Sequence, residues 1–301
     1  MSDPDSKPKL FLVDVFAERP YAGNQLAVVV GAPLPEWPTE RMQAFAREMN
    51  FSETTFASPS PAEGAFDVRI FTPAEELPFA GHPTLGTAWV LRNFFCGQSS
   101  TGELPGNLVL RLGVGEVPVE FDETSYGELV RMRPRPPELR EVVDGDSIAS
   151  HLGIPRSALD PRHPCRRVSI GVEFVIAPLV DLASLRSARP KSLPAGEPGQ
   201  MLGVLAFAPE AYEPGADLSA RMFFEAFGIR EDPATGSANA CLAAYLSSEQ
   251  YFGTGRVLAR VQQGYEVGRP SCLYIRAEPH DGTIGVEVAG KVVLVASGEV
   301  A

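Results

Sequence analysis

Two short stretches, GHPTLGTA at 81–88 and EDPATGSA at 231–238, repeat one plan at a separation of 150 residues. His82-Pro83 aligns with Asp232-Pro233, Gly86 with Gly236, Thr87 with Ser237 and Ala88 with Ala238. An apolar run follows each, and Arg69-Ile70-Phe71 precedes the first much as Arg221-Met222-Phe223 precedes the second. A repeat at half of a 301-residue chain constrains the fold to two similar halves, a length that also divides naturally into two cores.

Strand-like runs dominate between these landmarks: LFLVDVF (10–16), LAVVVG (26–31), FDVRIF (66–71), LVLRLGVGEVPVEF (108–121), VSIGVEFVIAP (168–178), MLGVLAFAP (201–209), RVLARVQQG (256–264), SCLYIRAE (271–278) and GVEVAGKVVLVASGEV (285–300). Their alternation, β-branched residues and Gly or Pro punctuation predict strands. Helices are fewer. TERMQAFAREMN (39–50) places Met42, Phe45, Ala46 and Met49 on one face. The repeated motif opens the other two long ones, at 83–95 and 233–246, and short helices are expected at 146–152 and 180–187. Strands outnumber helices too heavily for alternating βαβ units, so a duplicated α+β unit is expected. The halves are read as 1–125 and 126–301, with the Pro-rich RMRPRPPELR (131–140) as a linker and the final strand free to join either half.

Proline suits the first turn of a helix, and Asp232 and His82 stand where an N-cap would. Gly and Ser/Thr in that turn leave main-chain N–H groups approachable, and helix starts attract anions. Two such starts related by an internal twofold are expected to converge on one small carboxylate. The competing reading is plain capping and close packing. Asp232 and His82 either cap or move protons. Glu53, the one acid in NFSETTF (50–56), is a candidate proton carrier, since an apolar surrounding would suit a carboxyl group to carbon acid chemistry. A strand-end Glu bonded to neighbouring hydroxyls is the alternative.

The formal charge of −12 argues against a binder that tracks nucleic-acid phosphates. No apolar run is long enough to span a bilayer, and MSDPDSKPK reads as a short frayed tail and not as a signal peptide. Cys96, Cys165, Cys241 and Cys272 are scattered, as are the four histidines, so a reduced cytoplasmic protein without a metal site is expected. Gly285–Lys291 matches a phosphate-loop spacing, but Val292 follows in place of Ser or Thr and the flanks alternate like strands.

The segments DVFAERPYAGNQLAVV (14–29), NFSETTF (50–56), RIFTPAEELPFAGHPTLG (69–86), EDPATGSA (231–238) and QGYEVGRPS (263–271) together resemble the PhzF-like phenazine biosynthesis family, related to diaminopimelate epimerase and proline racemase. That resemblance implies two pseudo-symmetric α+β domains, each a central helix wrapped by a bent, barrel-like sheet. It also implies a homodimer, no cofactor, and a small-molecule carboxylate substrate. The implied activity is acid/base isomerisation like that of trans-2,3-dihydro-3-hydroxyanthranilate isomerase. Glu53 would be the proton shuttle, His82, Asp232 and Ser237 its partners, and Gly81 and Gly236 would bind the carboxylate together with Ser237. Two-thiol racemisation is disfavoured because Gly81-His82 and Asp232 occupy the places of the racemase cysteines. One departure from the family's commoner pattern is Gln25, where Pro often follows Gly-Asn. A non-catalytic carboxylate-binding protein and a thiol-free epimerase are the alternatives.

Overall fold

The computed structural model describes residues 7–31, 33–60, 65–97, 103–190, 203–224 and 231–301. They form two compact units, Met1–Met132 with Gly290–Ala301, and Arg133–Ala289. The first holds β1 (Lys9–Val15), β2 (Asn24–Val30), α1 (Thr39–Met49), β3 (Glu53–Pro59), β4 (Ala65–Phe71), the two-residue β5 (Glu76–Leu77), α2 (Gly81–Phe94), β6 (Asn107–Leu112), β7 (Gly115–Thr124) and β8 (Gly127–Met132). The second holds β9 (Glu138–Val142), α3 (Gly145–Leu152), β10 (Arg166–Ser169), β11 (Glu173–Pro178), α4 (Leu182–Ser187), β12 (Gly203–Ala208), β13 (Leu218–Phe224), α5 (Gly236–Ser248), β14 (Val257–Gln263), β15 (Ser271–His280) and β16 (Thr283–Gly290). The last strand, β17 (Val292–Glu299), returns to pair with β1.

Strand pairing displays the duplication. The first unit is ordered β17-β1-β2-β3-β4-β6-β7-β8, with successive pairs antiparallel, antiparallel, parallel, antiparallel, parallel, antiparallel and antiparallel. The second, β9-β10-β11-β12-β13-β14-β15-β16, has the same pattern pair by pair. In this correspondence β17 holds in the first unit the place of β9 in the second, so a strand from the far end of the sequence completes the first sheet beside β1.

The helix after β4, and its counterpart after β13, lie at the centres. In α5, GSANACLAAYLSS, every residue except Ser237 and Ser248 is buried; a helix apolar on all sides is a buried helix. In the first unit α2 packs on β1, β2, β3, β6, β7, β8 and β17. Eight flat strands would span about 34 Å, against a helix only about 10–12 Å across. One helix reaches so many strands only if the sheet curls around it. Helix α1 is amphipathic instead, burying Met42 and Ala46 with Phe56 and Phe71.

Several sequence expectations need adjustment. Neither motif puts proline at the first helical position or His82 and Asp232 at the N-cap. Helix α2 begins at Gly81 after Ala80, leaving His82 second and Pro83 third. Helix α5 begins at Gly236 after Thr235, well past Pro233. The cause lies in the main chain: the N–H of Asp232 donates to the Met222 carbonyl and its own carbonyl accepts from Gln263 Nε2, which holds the segment extended. The stretch 131–140 is only partly a linker, since β8 and β9 take both ends. Its Arg131, Arg133 and Arg140 face Asp122, Glu287 and Glu173. Strand β17, not a helix, follows Lys291, so the phosphate-loop spacing is coincidental. Residues 1–6 of the expected tail and 201–202 of the expected strand lie outside the described residues. No helix among the described residues is long and apolar enough to cross a membrane.

Candidate active site

Glu53 is the first residue of β3, paired in parallel register with Leu26 of β2. His82, in the first turn of α2, turns its ring to the same place: Nε2 lies 3.3 Å from Glu53 Oε2, with side-chain exposures of 7% and 16%. Burial pushes the His82 pKa down to about 3, against the opposite pull of a hydrogen bond from the ring to the Gln25 main chain. The imidazole is therefore neutral at physiological pH. With its N–H turned to Gln25, Nε2 is an acceptor facing the carboxyl group, suited to receive a hydrogen bond from it when that group is protonated. The helix is anchored against β3 two residues further along, where the Thr55 and Thr87 hydroxyls meet at 2.8 Å in the buried interior.

Thr87 and Gly86 thus have local jobs. A Cβ on Gly86 would sit 2.6 Å from Leu26 Cδ2 and 2.7 Å from Val15 Cγ2. This glycine serves close packing of α2 on β1 and β2, so for the first copy of the motif the packing reading holds at that position. Gly81 is buried at the helix start. Main-chain N–H groups of the first turn have no acceptor within the helix, whatever else occupies them.

The second copy is built differently. Asp232 is 7% exposed, and its Oδ2 accepts a 2.5 Å hydrogen bond from Thr235 Oγ1. Gln263, fully buried at the end of β14, donates from Nε2 to the Asp232 carbonyl at 2.8 Å and accepts from Asn239 Nδ2 at 2.9 Å. Asn239 Nδ2 also donates to the Thr235 carbonyl. Gly236 is buried and Ser237 half-buried in the first turn of α5. One side of Asp232 is preceded by Glu231, which is gripped by Arg221.

Register identifies what stands opposite Glu53 in the duplication. Thr54 pairs with Phe71 and Val204 with Phe223, and the two phenylalanines close the equivalent Arg-x-Phe stretches. Glu53 therefore corresponds to Gly203. A Cβ there would run into the Phe223 carbonyl oxygen, so no side chain fits. The duplicated fold keeps one carboxyl group at this strand position. Sequence reading assigned no role to Gln263, Thr235, Arg221 or Gly203; the first three lay inside recognised segments, but nothing in QGYEVGRPS marks Gln263 as a partner of Asp232. Cys165 and Cys241 are unsuited to thiolate chemistry. Burial pushes Cys165 up to about 11 and raises Cys241 further, and Cys241 Sγ donates to the Val168 carbonyl.

The family profile of phenazine biosynthesis-like proteins (PhzC-PhzF) matches residues 13–298. The chain belongs to this PhzF family. It is 34% identical over 283 residues to trans-2,3-dihydro-3-hydroxyanthranilate isomerase of Pseudomonas aeruginosa, covering 93% of this chain and 94% of that one. An uncharacterized isomerase of Mesorhizobium japonicum is 32% identical, with 96% and 97% covered. Among solved structures, a PhzF-family protein of Bacillus anthracis superposes with a TM-score of 0.83 at 24% identity, covering 98% of this chain and 99% of that one. A predicted epimerase of P. aeruginosa gives 0.75 at 30% identity and the same coverage. A probable proline racemase of Agrobacterium radiobacter shares the fold alone, at 0.61 and 13%, covering 98% and 93%. The chain is a PhzF-family isomerase with the epimerase-like α+β fold that the sequence led us to expect.

Proposed function

We propose that the protein is a cofactor-independent acid/base isomerase of a small cyclic carboxylate, of the class represented by the dihydrohydroxyanthranilate that names its P. aeruginosa relative. The Glu53–His82 pair carries this reading, a partly exposed carboxyl group 3.3 Å from a buried imidazole held neutral. Glu53 breaks a C–H bond by taking the proton, the electron pair passes into an enol, and the same proton returns to another carbon. No electrons are lost or gained. Neutral His82 assists through Nε2, an acceptor that orients the Glu53 carboxyl group while it carries the proton. We assign Asp232 and Ser237 to the enol and carboxylate oxygens, with the first-turn N–H groups at Gly81 and Gly236 as further donors. Gly203 supports a one-base reaction, since the fold's equivalent of Glu53 has no side chain.

The test is NMR in D₂O with a panel of small cyclic and amino-acid carboxylates that includes trans-2,3-dihydro-3-hydroxyanthranilate. Deuterium should enter carbon with wild type, and Glu53→Gln should slow this by about 10²-fold or more, the scale of general acid–base catalysis. Wild-type turnover in Glu53→Gln would sink the assignment. Panel members that bind without exchanging would point to a carboxylate-binding protein instead, and label at a stereocentre with no rearrangement to an epimerase.

A further inference from the structure

The duplication extends to a pair of arginine clamps. In the first unit Arg69 grips Glu76 through both fork nitrogens, Nε to Oε1 at 2.7 Å and Nη2 to Oε2 at 2.6 Å. In the second, Arg221 grips Glu231 in the same way at 2.9 and 2.7 Å. Each guanidinium lies over the ring of the phenylalanine two residues on, Phe71 at 5.1 Å and Phe223 at 4.8 Å. Each also reaches the helix between the second and third strands of the shared core: Arg69 Nη2 donates to Thr39 Oγ1 of α1, and Arg221 Nη1 to the Leu185 and Ala188 carbonyls at the end of α4.

The two clamps differ where function would require it. Arg69 and Glu76 are 37% and 39% exposed, and Glu76 is six residues before His82. Arg221 and Glu231 are 4% and 11% exposed, and Glu231 is the residue next to Asp232. A bidentate Arg–carboxylate pair fixes orientation as well as distance, and burial removes the water that would loosen it. Glu266 lies 3.7 Å from the same guanidinium and accepts from the Tyr212 hydroxyl at 2.7 Å, while Tyr212 stacks flat on Tyr265 at 4.2 Å. Glu266 and Tyr265 follow Gln263, the residue that bonds the Asp232 carbonyl. The segment at 231–232 is therefore held from both neighbours: its side chain by Arg221, its main chain by β13 and Gln263.

We propose that Arg221 is a positioning residue that sets the Asp232 carboxyl group through Glu231, whereas the exposed Arg69 clamp is a brace alone. The proposal rests on the assignment of Asp232 to the site. Two measurements on the full-length protein test it. Hydrogen exchange by mass spectrometry compares wild type with Arg221→Lys, which keeps the charge and loses the fork. Should that variant not fold, Glu231→Gln, isosteric and neutral, replaces it. Peptides spanning 231–239 should exchange about tenfold faster or more, while those from β12 and β14 stay at wild-type rates. Unchanged rates at 231–239, or equal acceleration across the second unit, would overturn the proposal. In the D₂O assay with trans-2,3-dihydro-3-hydroxyanthranilate, kcat should fall about tenfold or more with KM within about twofold, the signature of a misplaced group and not of lost binding. Arg69→Lys should leave both unchanged. Equal loss in both arginine variants, or loss matching the unfolded fraction, would overturn it. A wild type that turns nothing over counts against the isomerase substrate class, and the hydrogen-exchange comparison still decides the clamp.

Discussion

Neutral His82 has a consequence for stability that can be measured. Its pKa falls from an ordinary 6.5 to about 3 on folding, chiefly because burial disfavours the charged ring. Between those values the unfolded chain binds a proton that the native protein does not. The stabilisation is complete above pH 6.5 and is lost as pH falls towards 3, at about 1.4 kcal/mol per pH unit. From pH 6.5 to 5 the loss is about 2 kcal/mol from this one residue. Other groups titrate in the same range, so the comparison is between wild type and His82→Asn, which keeps a polar side chain without a titration. Urea unfolding at pH 7, 6 and 5 should show the gap in stability between the two shrink by about 2 kcal/mol. Imidazole NMR, with only four histidines to assign, should show His82 still neutral at pH 5. A constant gap, or a His82 resonance titrating at or above 6.5, would refute the reasoning. It would mean that an ion pair with Glu53 at 3.3 Å outweighs desolvation.

Gly86→Ala gains about 1 kcal/mol of helix propensity but forces a methyl against Leu26 and Val15, at about 1–3 kcal/mol of overpacking. Net destabilisation of up to about 2 kcal/mol by urea denaturation is expected, and a variant more stable than wild type would show that α2 can shift freely. Gln263→Leu leaves the Asp232 carbonyl and the Asn239 amide without their buried partner, at about 1–3 kcal/mol each. Its unfolding midpoint should drop accordingly, and an unchanged midpoint would mean water replaces the side chain. Alkylation with iodoacetamide at pH 7 should leave turnover intact, because burial keeps the Cys165 and Cys241 thiols protonated. Inactivation in step with Cys241 labelling would contradict the acid/base assignment.

The duplication was legible in the sequence because it is written in residue identities: the paired Pro, Gly, hydroxyl and Ala at one offset, and the Arg-x-Phe before each. The central helices were legible too, since a helix apolar on all faces has only the interior to occupy. Both helix starts were misjudged because local preference placed them at proline, and for α5 long-range hydrogen bonds decided the start. Met222 and Gln263 hold Asp232 extended from ten and 31 residues away, and local propensity carries no trace of either.

The same division runs through the site. Sequence alone determined the residue types available: one Glu at the head of β3, a His and an Asp at matching motif positions, and no cysteine beside them. Only tertiary structure decided their state and partners. It brings Glu53 and His82 to 3.3 Å and buries the imidazole into neutrality. It commits Gly86 to packing and Thr87 to Thr55, and leaves no room for a side chain at Gly203. It turns one of two arginine clamps of like geometry into a buried neighbour of Asp232. Composition and spacing fix what chemistry a chain can offer. Desolvation and distance, which fix what each group does, exist only once residues far apart in sequence share one interior.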